Sequence, residues 1–524
     1  MSIINSKNFY TVIFVSFIFL IVLPIIYTLG AAFFFEGSFL NNIKQLNEEA
    51  FQLLAKSSFI AFLIALLSTL FGSLLGFLLY KTNIVFRNFF KIALLLPLFI
   101  SPYILAVAWK DFFFLFFSNT SFISSYIGVI IVLTTIFTPL SMLIIGSALS
   151  NIDAQLEESG FMIANTKSVI IKIILPLIKP ALVSSFVLVF IFSISEFSVP
   201  AFFGVKVFTT EIFTQFSAFY NHSLAVLQSS LLILICILLL LSEKKYLSEA
   251  PFLSIGSKGT RYRAFNINNK FWTSIVFLFG WFFITVILPF IILFIQAFKE
   301  GTTKFIQAFE LLTPTFINSI ALAFLSALII VFIGFTASYP FAQNSETKIK
   351  RSFDWVLLIV FAIPSTVFGI SLIKFYNQPI LDFIYSSYII IIIGYVGKFS
   401  FISAKLIDNA VKQVPRSLDE AAQIEGISFF KRQKKILIPL IMPTLFVAFI
   451  ISFIFSLGEL GTTIMLYPPG TEIMPIKVFT IMANAPQSLT SSMVLIVFLI
   501  TLIIISSFYF IAKPFIKTYN YTND

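Results

Sequence analysis

Residues 420–439, Glu-Ala-Ala-Gln-Ile-Glu-Gly-Ile-Ser-Phe-Phe-Lys-Arg-Gln-Lys-Lys-Ile-Leu-Ile-Pro, form a polar, basic stretch in an otherwise apolar chain, and a worn copy of it occurs at residues 157–176. A shift of 263 residues lays Glu157 on Glu420, Lys172 on Lys435, Ile173 on Ile436 and Pro176 on Pro439. The register continues downstream. Phe190-Ile191-Phe192-Ser193 falls on Phe453-Ile454-Phe455-Ser456, and Glu196 falls on Glu459. Upstream, a shift of 262 sets Gly72 on Gly334 and Pro102 on Pro364. Apolar bias matches Ile and Leu by chance, but it does not readily match prolines, glutamates and a four-residue string in one register. The chain reads as a tandem duplication.

The stretches on either side of the two polar loops decide what is duplicated. Of 524 residues, 59% are hydrophobic and 11% charged, against roughly 45–50% and about 25% in soluble domains. Lipid must solvate many of these side chains. A span needs about 20 apolar residues, and twelve are expected. The first six are Tyr10–Ala32, Ser57–Tyr80, Phe89–Trp109, Ser125–Leu149, Ala181–Phe203 and Ala225–Leu241. The second six are Trp272–Phe298, Ile317–Tyr339, Asp354–Phe375, Tyr388–Leu406, Leu445–Leu466 and Met493–Ala512. The expected fold is an all-α polytopic membrane protein. Its first half is 1–242, its cytoplasmic linker 243–270 and its second half 271–524. Six spans per half is an even number, so the repeats run parallel. The first apolar run reads as an uncleaved anchor, being long for a signal peptide and lacking a cleavage site. With the N-terminus inside, inner segments hold 26 of the 34 Lys and Arg, Lys398 and Lys405 counted among them. This bias puts both termini in the cytoplasm.

Several functions are excluded. One cysteine, Cys236, allows no internal disulfide, and one histidine, His222, cannot serve a multi-His metal or haem centre. The net charge of +11 is spread over short loops, which is topological rather than a nucleic-acid surface. Gly394-Tyr395-Val396-Gly397-Lys398-Phe399 lacks the spacing and hydroxyl of a P-loop. The 70 Phe read as lipid-facing bulk rather than an aromatic binding system.

Glu420-Ala421-Ala422, then Gly426, Ile436 and Ile438-Pro439, resemble the EAA motif of ATP-binding-cassette importer permeases, EAA-x3-G-x9-I-x-LP, with Ile438 in place of Leu. The first copy keeps Glu157, Ile173, Leu175 and Pro176 but has Glu158 and Ser159 for the alanines and Ile163 for the glycine. Three further stretches are similar to fused permeases of the ferric-iron importer group. They are Ser195–Pro200 with Thr209–Phe213, Gly458–Thr463 with Pro468-Pro469-Gly470, and Pro97–Trp109. The resemblance implies a type I importer architecture and import of ferric iron from a periplasmic binding protein across the inner membrane. Fused permeases for thiamine, phosphonate, sulfate or polyamine share that architecture. It also implies docking of both EAA loops on two ATPase subunits. ATP and Mg²⁺ belong to those subunits; this chain is expected to bind no cofactor or metal and not to be an enzyme.

The residues give these loops a physical sense. Ser417 is expected to cap a short helix with Asp419 and Glu420 in its first turns. Gly426 permits the turn out of it, and Pro439 marks entry to the next span. Loss of glycine at Ile163 predicts two unequal couplings. Glu196 and Glu459 each follow a proline, Pro180 and Pro443, by 16 residues, or roughly 24 Å of helix. They should lie at matching heights toward the outer face, where a carboxylate in a span costs roughly 2.5–3.5 kcal/mol at mid-helix. Two readings stay open: a pathway or gate residue attracting a cation, or a cap on a broken helix. Pro102 and Pro364 are expected to kink their spans near the pathway. The rivals are an ion-gradient-driven transporter, which would not need docking loops, and a membrane enzyme acting on lipids, which would need a cluster of acid–base residues.

Overall fold

The computed structural model describes residues 2–34, 46, 48–242, 271–342 and 348–521. The expected linker, 243–270, lies outside the described residues. Within them every regular element is helical. In the first half, α1 is Phe9–Ala31, α2 Glu48–Lys81, α3 Arg87–Phe99, α4 Pro102–Phe117 and α5 Tyr126–Ser150. Next come α6 (Ala154–Ile163), α7 (Thr166–Ser195), α8 (Ser198–Phe203), α9 (Phe208–Ser217) and α10 (His222–Leu241). The second half repeats the series: α11 Trp272–Phe298, α12 Thr303–Ser338, α13 Lys350–Ala362, α14 Ser365–Tyr376 and α15 Ile389–Gln413. It closes with α16 (Arg416–Ile424), α17 (Phe429–Gly458), α18 (Thr463–Leu466), α19 (Met474–Met482) and α20 (Gln487–Ser507).

Ten of these helices are long and apolar enough to cross a membrane, or up to twelve spans if each of two bent pairs counts as one. The expected spans Phe89–Trp109 and Asp354–Phe375, with kinks expected at Pro102 and Pro364, are those pairs. The first bends by 94° between α3 and α4, the second by 106° between α13 and α14. Proline is the cause. Ser101, before Pro102, is held extended at ψ 136°, as a residue preceding proline prefers. Pro364 itself is extended at ψ 141° and starts α14. Two other expected spans, Ala181–Phe203 and Leu445–Leu466, also differ. Their helices begin earlier, inside the polar loops, and end at Ser195 and Gly458. Pro439 therefore marks no entry: α17 is already helical ten residues before it.

These prolines are absorbed by a recurrent device. Four π-helical turns, Ile18–Val22, Ile170–Ile174, Phe283–Ile287 and Gln433–Leu437, each end just before a Leu-Pro or Ile-Pro pair. The N–H of the residue before proline reaches back five positions, as Leu175 does to the Ile170 carbonyl and Ile438 to that of Gln433. The extra residue per turn makes room for a ring that lacks an N–H and would clash one turn back. The device sits at equivalent places in both halves.

Packing repeats as well. A Cβ on Gly72 would meet Ser141 Cβ at 2.4 Å, and one on Gly334 would meet Ser403 Oγ at 2.5 Å. Both pairs are related by a shift of 262, so backbone contact of α2 with α5 and of α12 with α15 uses the same small residues. Ser57 Oγ accepts the Phe208 N–H and Ser319 Oγ the Met474 N–H, each at 2.9 Å. The first helix of each half crosses to the other half. Tyr376 Oη donates to the Leu20 carbonyl at 2.9 Å, and Gln433 Nε2 donates to Tyr10 Oη at 2.6 Å. Reciprocally, Trp281 of α11 lies on Phe71 with ring centroids 4.5 Å apart. α5 and α15 are 72% buried and central, whereas α11 is 22% buried and peripheral.

Candidate coupling loops and central cavity

The duplicated loops fold into short helices, α6 and α16, at one end of the bundle. In the second loop, Gly426 adopts φ +71° just past the helix. Its N–H bonds to the Gln423 carbonyl, and the Ile427 N–H bonds to that of Ala422. This is a Schellman closure, which puts glycine at the left-handed position. The N-terminus differs from expectation. Pro415 stands at the cap without a side-chain hydrogen bond, and Ser417 is already helical. Proline suits a helix start because its missing N–H needs no partner there. Asp419 faces inward and takes Arg432 Nε at 2.9 Å and Gln423 Nε2 at 2.6 Å. Glu420 and Ala421 are exposed, while Ala422 is buried.

The first loop is fastened otherwise. Asp153 caps α6 by accepting the Gln155 N–H at 3.0 Å. Glu157 points inward and is fully buried against Lys81 Nζ at 2.5 Å, tying α6 to the end of α2. A Cβ on Gly160 would meet Ile173 Cδ1 at 2.5 Å, so α6 also lies hard on the base of α7. With no glycine at Ile163 the helix runs through that position. The free tips are apolar in both copies: Ile163 is 89% exposed and Ile424 86%. Of the other motif residues, Ile436 is half-buried, and Leu175, Pro176 and Pro439 lie on the outer surface beside the π-helical turns.

Between the halves lies a cavity of about 250 Å³. Its walls come in equivalent pairs: Phe99 and Phe361, Phe137 and Phe399, Phe192 and Phe455, Glu196 and Glu459. Pro102 lines it directly; Pro364 is buried and its neighbour Ser365 lines it. The carboxylates serve the broken helices. Glu196 Oε1 accepts the N–H groups of Ser198 at 2.7 Å and Val199 at 3.4 Å. Glu459 Oε1 accepts that of Thr462 at 2.9 Å. Both acids also face the cavity. The two readings left open by the sequence are thus compatible, since one oxygen caps the break while the group remains on the wall.

Six phenylalanines, Phe192 and Phe455 among them one helical turn before the acids, form two triads that mix the halves. Phe99 packs on Phe455 (6.2 Å), which packs on Phe399 (5.7 Å). Phe361 packs on Phe192 (5.1 Å), which packs on Phe137 (5.9 Å). The rings give this part of the cavity an apolar wall, the kind of surface from which hydrophobic gates are built. The halves are also joined by Ser101 Oγ, which donates to the Gly458 carbonyl at 2.7 Å.

The family profile of the binding-protein-dependent transport system inner membrane component matches twice, over residues 68–247 and 334–517. The chain belongs to this family. A permease named for ferric transport in Haemophilus influenzae is 24% identical over 453 residues, covering 80% of this permease and 71% of that relative. The ferric transport system permease protein FbpB of Actinobacillus pleuropneumoniae is 24% identical over 464 residues, 80% of this chain and 65% of its own length. A permease named for 2-aminoethylphosphonate transport in Salmonella typhimurium aligns at 25% identity over 37% of this chain.

Sequence reasoning missed three features of this permease. Lys81 was indistinguishable from any loop lysine until its partner was placed. Lys398 and Lys405, counted as inner-loop residues, lie within α15 on the cavity wall. Seven of the phenylalanines read as lipid-facing bulk line the cavity instead. For six of them the signal was present, since each stands at the repeat position of another; Phe401 has Pro139 at its repeat position.

Proposed function

We propose that this chain is the permease of an ATP-driven importer in a bacterial inner membrane, with both termini in the cytoplasm. Two nucleotide-binding subunits dock on α6 and α16, and a periplasmic binding protein delivers cargo at the opposite end. The observation that carries this reading is the pair of short helices with exposed apolar tips, each set between the two longest cavity-lining helices of its half. A push on α6 passes through Lys81–Glu157 to α2 and through Gly160–Ile173 to α7. α7 ends in Glu196 and carries Phe192, so movement at the loop reaches both the phenylalanine triads and the acids. The ATPases supply hydrolysis; this chain supplies the path and the transmission.

Ferric iron is the proposed cargo. Relatives named for ferric transport align over 80% of the chain, whereas the relative named for a phosphonate aligns over 37%. The test is reconstitution in proteoliposomes with the ATPase and the binding protein. Vanadate-sensitive uptake of radioactive iron is expected. Uptake that collapses with a protonophore at constant ATP would point to a gradient-driven carrier. ATP-driven uptake of a different ligand of the binding protein would leave the importer and replace the cargo.

A further inference from the structure

The cavity wall repeats its helices and six of its aromatic rings two-fold, and it departs from two-fold symmetry in charge. Shifting by 262, the register shown by the Gly72–Ser141 and Gly334–Ser403 contacts, sets Ile136 on Lys398 and Leu143 on Lys405. Lys398 is 8% exposed and lies mid-span. An ammonium there is costly unless it is paired or faces a polar cavity. Its Nζ donates to the Ile363 carbonyl at 2.6 Å and to that of Phe361 at 3.3 Å, at the C-terminal end of α13. That end carries partial negative charge, and a cation is well placed on it. Lys398 is also within electrostatic reach of both Glu196 and Glu459. The matching break in the first half, at the end of α3, opens on the same cavity with Ile136 in the lysine's place, and Ile136 brings no charge. Ser195 Oγ, buried, lines the cavity there with the Cys236 thiol beside it.

We propose that Lys398 is a tethered cation filling one half of a two-fold cation site. The other half, bounded by Glu196, Glu459, Ser195 and the end of α3, receives a multivalent metal cation in transit. The inference rests on the permease reading but not on iron as the cargo. With all three groups charged, two carboxylates and one ammonium leave a net charge of −1 at the site. That suffices to attract a cation and is too little to hold it, which is what passage requires. Each glutamate commits Oε1 to its helix break, so Oε2 is the oxygen left for the cargo. Lys405 lies seven residues along α15, roughly 10 Å away, toward the loop end, where its ammonium is paired with Asp354 at 3.8 Å.

The test uses the full chain in lipid nanodiscs without partners, with Tb³⁺ as a trivalent probe in equilibrium dialysis. Lys398→Gln retains a donor for the α13 carbonyls and removes the charge. It should bind Tb³⁺ at least tenfold more tightly than the unmodified chain, and Lys398→Met should do the same. Adding Glu196→Gln and Glu459→Gln should abolish the gain. Unchanged affinity in Lys398→Gln, or a gain that survives loss of both acids, overturns the proposal. Should neither lysine variant assemble, Ile136→Lys decides: a second ammonium must weaken Tb³⁺ binding at least tenfold, and no change overturns it. Failure here with ATP-driven uptake intact refutes the tethered cation alone. Failure of ATP-driven uptake with the Tb³⁺ pattern intact refutes the importer reading alone.

Discussion

The helices α6 and α16 descend from one ancestral loop and are held in place by different forces. α6 is pinned from below: Glu157 is buried on Lys81, and Gly160 lies against Ile173. α16 is closed on itself: Gly426 turns its end, and Asp419 pairs with Arg432 in the same loop. The motif glutamate therefore has opposite fates, interior in one copy and on the surface in the other. On the proposed docking, duplication relaxed the requirement that both loops meet an ATPase in the same way. The first copy kept rigidity and turned its motif carboxylate inward; the second kept that carboxylate on the surface, together with the glycine turn.

The sharpest way to break this comparison is at Lys81. Lys81→Met strands a buried carboxylate, and removing one member of a buried pair costs about 3–5 kcal/mol. Thermal unfolding of the solubilised protein should show a large loss, with uptake abolished. Lys81→Met with Glu157→Leu removes both charges and should regain most of the stability, because an apolar pair of similar volume replaces a buried ion pair at little cost. If the single variant unfolds like the unmodified chain, the pair is not what holds α6. Lys431→Met, on the exposed side of the second loop, should stay within about 0.5 kcal/mol.

The next effect is at Gly426. A left-handed conformation costs a side-chain-bearing residue about 1–2 kcal/mol, more when β-branched. Gly426→Val should therefore loosen the end of α16 and reduce capture of the ATPase, read by co-purification. A Cβ there meets nothing within 4 Å, so the loss must come from backbone strain and not from a clash. The reciprocal Ile163→Gly should weaken α6 by no more than about 1 kcal/mol, the penalty for glycine in a helix. Equal tolerance at the two positions would erase the distinction between the loops.

Much of the architecture could be read because the repeat constrains it twice. A register fixed by Pro176 and Pro439, Glu196 and Glu459, and Gly72 and Gly334 was enough to set the spans and the parallel halves. Proline located the kinks of two spans, but the sequence could not show that they amount to bends of 94° and 106°. Ile100 and Ile363 are as apolar as their neighbours, and the bends arise from backbone restriction beside Pro102 and Pro364. Nor could it show the exchange of α1 and α11 between halves, which depends on contacts between residues hundreds of positions apart, such as Tyr376 Oη with the Leu20 carbonyl. The Ser417 cap was misplaced because proline competes for the same position from two residues upstream. Lys398 was hidden by a rule that assigns basic residues to inner loops, a rule that fails where a polar cavity lets one stay in the span.

The smallest effect on stability should carry the most information about coupling. Glu420 is exposed on α16, and its equivalent Glu157 is sealed inside. Glu420→Gln keeps the shape and removes a solvated charge, so its folding cost should fall within about 0.5 kcal/mol. If this carboxylate meets a cationic group of the ATPase, losing it should lower uptake while leaving the unfolding temperature unchanged. Glu158→Gln on the exposed side of α6 supplies the control. It neutralises a carboxylate of the first loop without disturbing the Lys81 pair, and an effect equal to that of Glu420→Gln would mean that both loops present charge to their partners. A deficit confined to Glu420→Gln would show that the two ATPase contacts differ chemically, one led by a charge and the other by the apolar tip at Met162 and Ile163. An effect of neither would leave apolar contact as the grip on both sides, and the difference between the loops would then belong to folding alone.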